Sequence, residues 1–177
     1  MRIRFDTDRA LLETFPTARL DIKTEPSDVD PLRFLDGLVA KGELREAVSF
    51  CAYLLPRREA VAWACRSVRA LLGEAGAKSS AFAAAETWAR EPDEAHRQAA
   101  SVAAQAGDSN DPTMWLAQAA SWSGGNLAPR TPTPPHLTAV AVRIGVILSM
   151  RRLKPPEQVI RLQACIKDGA KLAQTGI

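Results

Sequence analysis

Few side chains in this chain could do chemistry: two histidines, His96 and His136, one tyrosine, Tyr53, and three cysteines, Cys51, Cys65 and Cys165. General acid and base catalysis needs a group that exchanges protons near neutral pH while held against its substrate. His96 falls on a polar helical stretch and His136 directly follows a proline run. Each cysteine has apolar helical neighbours, among them Ala52, Ala64 and Ile166, the setting of a buried thiol. The sequence has no Cys-x-x-Cys or His-x-x-x-His pair to hold zinc, no phosphate-cradling glycine loop, no nucleophile elbow and no His-Glu-x-x-His. These absences predict a non-enzymatic protein with no metal and no cofactor.

Groups suited to binding stand out instead. Arg57 and Arg58 follow Pro56 in the first turn of a predicted helix, where the helix dipole favours anions and each exposed cation costs a few tenths of a kcal/mol. Their planar guanidinium groups can grip a carboxylate or phosphate through two bonds at once. Trp63 lies one and a half turns further on; exposed beside the arginines, it would resemble an interface anchor. The second candidate is the segment from Trp122 to His136, Trp-Ser-Gly-Gly-Asn-Leu-Ala-Pro-Arg-Thr-Pro-Thr-Pro-Pro-His, which cannot be helical. Gly124, Gly125 and Asn126 tolerate positive φ, and Pro129, Pro132, Pro134 and Pro135 stiffen an extended, polyproline-like course. Long irregular connections inside a compact domain are either disordered or held for a purpose. Arg57, Arg58, Trp63, Asn126, Arg130 and His136 are therefore the expected partner-binding residues.

The elements that must position these groups are helices. Asp30-Pro31 supplies an N-cap followed by proline at the first helical position, with Leu32, Leu35, Leu38 and Val39 at helical spacing behind it. A second helix runs from Leu44 to the proline at 56, and a third carries Ala60, Val61, Ala64, Cys65, Val68 and Leu71 on one wide apolar face. Ser79 or Ser80, Pro92-Asp93-Glu94 and Asp111-Pro112 start three more, and Leu137 to about Arg152 and Pro156 to about Ala173 complete the set. Residues 1–29 allow one short helix around Asp8 to Thr14 and otherwise read as a partly flexible arm ahead of a single helical domain over residues 30–177. No window alternates apolar and polar residues, so the expected fold is all-α: one domain of about seven to eight antiparallel helices in a helical-hairpin array, with an extended Pro-rich crossing. Gly42 to Ala47 with Tyr53, Leu54 and Pro56 resembles the second helix of a tetratricopeptide-type repeat, echoed 34 positions on at Gly76 and Ala81. With no third copy, a generic helical array fits better.

The 177 residues, 46% hydrophobic, suffice for one core, and the longest apolar stretch, Leu137 to Met150, contains Arg143 and is too short to span a membrane. The opening residues lack the apolar centre of a secretory signal, so a cytoplasmic location is expected. The net charge of +3 is concentrated: residues 111–177 carry 8 basic and 3 acidic groups. A basic surface can hold an acidic protein or a nucleic-acid backbone. Every aromatic residue lies at or before Trp122, however, so the basic third has no ring on which a base could stack. Basic nucleic-acid binding through residues 143–171 is accordingly the alternative to a protein partner.

Leu55-Pro56-Arg57-Arg58-Glu59-Ala60-Val61-Ala62-Trp63-Ala64-Cys65, together with Trp122 to Pro129 and Pro134-Pro135-His136-Leu137-Thr138-Ala139, resembles an uncharacterised bacterial family of small all-helical proteins found among type VI secretion genes. The resemblance runs from about Asp30 to Ala173 and leaves out residues 1–29. It implies a cytoplasmic, secretion-associated adaptor or chaperone and supplies no catalytic residues. Ala62 departs from the pattern, since relatives often carry a second tryptophan there.

Overall fold

A computed structural model describes residues 3–177; residues 1 and 2 of the expected arm lie outside the described residues. The fold is a single all-helical domain. Helices α1 (Asp8–Thr14), α2 (Pro31–Ala40), α3 (Leu44–Leu54), α4 (Arg57–Gly76), α5 (Ser80–Arg90), α6 (Glu94–Gln105), α7 (Pro112–Ser121), α8 (His136–Met150) and α9 (Pro155–Thr175) follow in chain order. One 3₁₀ turn spans Pro16–Leu20, and two short strands, β1 (Asn126–Ala128) and β2 (Thr131–Pro132), lie between α7 and α8. No helix among the described residues is long and apolar enough to cross a membrane.

Side-chain caps set the helix starts. Thr7, Asp30, Ser79, Asp93 and Asp111 each accept a bond from a first-turn backbone N–H, and Pro31 and Pro112 occupy first-turn positions where a missing N–H costs nothing. Consecutive helices from α4 to α7 pack as hairpins. The apolar α8 then returns through the middle, against α7, α4 and α3, while α9 crosses α3 and α4. Small residues permit that last crossing. A methyl group on Gly169 would sit 3.0 Å from Trp63 Nε1 and 3.1 Å from Cys51 Sγ, so a side chain there would make these neighbours on α4 and α3 give way by a few tenths of an ångström.

The described part of the expected arm is built into the core. Leu11, Leu12, Phe15, Ala18 and Ile22 are buried with the residues of α2, α3, α4 and α8. Asp8, fully buried, fastens the segment: its carboxylate accepts the Ser27 and Val29 amides at 2.7 Å each, and its own amide donates to the Val29 carbonyl. Arg143 of α8 pairs with Asp21 at 2.6 Å, and Glu46 of α3 accepts the Thr24 amide at 3.0 Å. These links join residues that are far apart in the chain, which helical periodicity does not register.

Candidate functional site

The segment between α7 and α8 is a small antiparallel hairpin in place of the polyproline-like strap expected from its prolines. Asn126 pairs with Pro132 and Ala128 with Thr131, with an irregular register on the β1 side. Pro129 and Arg130 make the two-residue tip. Proline at the first central position and φ +65 at the second, Arg130, is the arrangement of a type II turn, which ordinarily takes glycine at that second place. A non-glycine residue there pays about 1–2 kcal/mol. At the base, Gly125 turns the chain with φ +67, and its missing side chain leaves room for the Arg97 guanidinium, 2.8 Å from where a Cβ would stand.

The base is bonded from every side. Arg57 donates to the Ser123 carbonyl at 2.9 Å and reaches the Thr133 carbonyl at 3.5 Å. Arg97, gripped bidentately by Glu94 at 2.7 and 2.6 Å, donates to the Ser121 carbonyl at 2.9 Å. Thr133, buried, ties the two sides together through its amide to Gly125 O and its hydroxyl to Gly124 O, both at 3.0 Å. The Thr138 hydroxyl donates to Trp122 O at 3.1 Å. Above this collar, residues 125–132 are all exposed, and Leu127 shows 49% of its surface. The loop is thus a fixed base carrying a bare tip.

These contacts place the residues singled out in the sequence. Asn126 and Arg130 lie on the exposed hairpin, and His136, half-buried, opens α8 where the hairpin rejoins the helices. Arg57 and Arg58 point their donors inward. Arg58 caps the end of α5, with Nε to the Ala89 carbonyl and Nη2 to the Arg90 carbonyl, each at 2.9 Å, which satisfies acceptors that a helix C-terminus leaves open. Two arginines at the start of α4 are therefore explained within the fold, because carbonyl dipoles offset the unfavourable helix end. Trp63 requires a correction: it is fully buried, with Nε1 donating to Cys165 O at 2.8 Å, and so lies in the α4–α9 contact and not on a surface. Its place on the apolar side of α4 decides this, since the burial of a wide ring outweighs exposure beside an arginine pair.

Arg97 and Glu94 carried no sequence signal beyond their spacing of three on a helix. In space they form the second brace of the hairpin. The bonds from Arg97 and then Gln98 pull the Glu94 carboxyl down to about 2, and Glu94 in turn raises the Arg97 guanidinium. Arg4 stacks over Phe5 and Phe15, donates to the Leu55 carbonyl at 3.1 Å and shares a cavity of about 40 Å³ with Arg57 and Tyr53. Burial, and then the Arg57 charge, lowers the Arg4 guanidinium. All three cysteines are buried, and burial pushes the Cys65 thiol up to about 12 and raises Cys51 and Cys165 as well. Such thiols remain protonated and poorly nucleophilic.

Comparison with known proteins adds the family. The chain belongs to a family of unknown function (DUF6931), whose model matches residues 34–173, from within α2 to the last turns of α9. No curated protein and no solved structure matches it.

Proposed function

We propose that this family member is a non-enzymatic interaction module that offers its braced hairpin, residues 125–132, to a protein partner. The observation that carries the reading is the contrast inside one short segment: a base held by Arg57, Arg97, Thr133 and Thr138, and a tip with every residue exposed. A tip held before contact loses little conformational freedom on binding, which is how preorganisation raises affinity. Arg130 supports the same reading. It keeps a charged side chain where glycine would be more stable, and such local strain is retained most often where a residue is used. On this account Arg57 and Arg97 position the contact surface, and Leu127 and Arg130 make the contact.

The finer reading, a cytoplasmic adaptor or chaperone for a component of a bacterial type VI secretion apparatus, draws its support from the sequence resemblance. Nucleic-acid binding through the basic final third has less in its favour, because residues 143–171 hold no aromatic ring on which a base could stack. A photo-crosslinking residue placed at Leu127 or Arg130 in the native host tests the proposal, with Val102, an exposed apolar position on α6, as the control. A discrete adduct from the tip that is absent from position 102 is the expected result. Identical adduct patterns from the tip and the control would refute it.

A further inference from the structure

The first turn of α4 and the segment leading into α1 meet at the cavity of about 40 Å³ that Arg4 and Arg57 share. Phe15, Ala60, Pro135 and Ala139 give it apolar walls, and among the described residues the two arginines are the only charged groups that line it. Walls of low dielectric around charge of a single sign focus its field and concentrate counter-ions.

Both guanidinium groups are held in place. Arg4 lies 5.1 Å from the centre of the Phe5 ring and 5.8 Å from that of Phe15, and it gives one donor to the Leu55 carbonyl. Arg57 gives two, to the Ser123 and Thr133 carbonyls. A guanidinium carries five N–H donors, so each arginine keeps several for a further acceptor. The carbonyls satisfy donors without adding net negative charge, and two like charges still face one small space. Burial and then the Arg57 charge lower the Arg4 guanidinium, and Glu59 offsets less than Arg57 adds. Glu59 pairs with neither arginine and does not line the cavity.

We propose that this cavity is a carboxylate site, in which one carboxylate seats between Arg4 and Arg57 and accepts charge-assisted hydrogen bonds from both. Size selects among anions. A single water needs ~10–15 Å³ of such space, so the cavity takes about three heavy atoms, as many as a carboxylate group has, and is too small for a phosphate. The carboxylate arrives either free, on a small organic acid, or on an acidic side chain of a protein partner. Arg57 also braces the hairpin, whereas Arg4 takes no part in it. The test therefore turns on Arg4, and the carboxylate site and the hairpin reading fail separately.

The test follows the arginine Nε–Hε resonances of the full chain by NMR. Sodium acetate, a capped alanine peptide carrying one glutamate, and sodium chloride are titrated separately, with ionic strength held by a sulfonate too large for the cavity. The expected result is a saturable shift of Arg4 and Arg57 by acetate while Arg33, an exposed arginine on α2, stays unmoved. R4M should weaken acetate binding at least about tenfold, the loss of one charge-assisted bond. Methionine keeps an apolar side chain against Phe5 and Phe15, and unchanged circular dichroism confirms the fold. R4K, which retains the charge without the planar fork, should lose less. Tighter binding of acetate than of the peptide identifies a free acid as the ligand, and the reverse identifies an acidic segment of a partner. The absence of a saturable shift, a parallel shift of Arg33, or unchanged affinity in R4M overturns the proposal. Chloride binding as tightly as acetate overturns it in favour of a halide site.

Discussion

Replacing Arg57 with alanine tests directly whether the hairpin base is braced as described. The 2.9 Å bond to Ser123 O has a charged donor, a class worth about 1.5–3 kcal/mol, while the second contact, at 3.5 Å, is at the limit of hydrogen bonding and adds little. Arg57 is only half-buried, so water reaches the freed Ser123 carbonyl and the loss should lie near the low end, at about 2 kcal/mol. Part of this is returned to the whole fold, since removing Arg57 also relieves its repulsion of Arg4. The effect should therefore be local, and hydrogen exchange read residue by residue is the right assay. Thr133, whose amide donates to Gly125 O, should exchange about 30-fold faster when a base-opening equilibrium shifts by ~2 kcal/mol. Amides in the centre of α8 should change by less than about twofold, the behaviour of a separate local opening. Arg57→Lys should restore little, because an ammonium group cannot span two carbonyls as a guanidinium does. Unchanged exchange at Thr133, or an equal acceleration throughout α8, would refute the bracing argument.

Four further outcomes follow from the same contacts. Arg130→Gly should raise stability by about 1 kcal/mol in denaturant unfolding, by relieving the positive φ at the tip, while weakening partner binding through loss of the cation. Trp63→Phe should cost about 2–3 kcal/mol, from one buried hydrogen bond and the volume left against Gly169, a loss visible as a lower unfolding midpoint. Asp8→Ala should cost about 2–4 kcal/mol, because two buried amides lose a charged acceptor, and proteolysis should then begin between Ile22 and Asp30. Cys65 titrates at about 12 in the fold against about 9 when unfolded, so the folded state keeps a proton that the unfolded state loses. Its contribution is complete below pH 9 and should fall as pH rises from 9 towards 12, a decline that Cys65→Ala should flatten in a pH series of thermal unfolding.

Local chemistry made the helices legible. Asp30-Pro31 and Asp111-Pro112 mark helix starts because cap and proline both act within one turn, and the apolar spacing of α2, α3 and α4 shows their buried faces without knowledge of their neighbours. The hairpin was less legible, since prolines suit a polyproline course as well as an edge strand and arginine is a poor marker of a turn that needs positive φ. The targets of Arg57 and Arg58 lie 66 and 31 positions away, and those of Asp8 lie 19 and 21 away, so no window along the chain contains both partners. Trp63 shows the same limit in reverse. Its apolar neighbours in sequence left both a core ring and an anchor beside the arginines open, and its hydrogen bond to Cys165, 102 positions on, places it in the core.

The affinity of the purified protein for the partner captured from its hairpin tip, measured for the unaltered chain, for L127A with R130A, and for V102A, addresses the central claim most directly. The account predicts that the tip variant binds at least about tenfold more weakly, a loss of ~1.4 kcal/mol or more, while V102A binds as the unaltered chain does. Equal affinity for all three would contradict it.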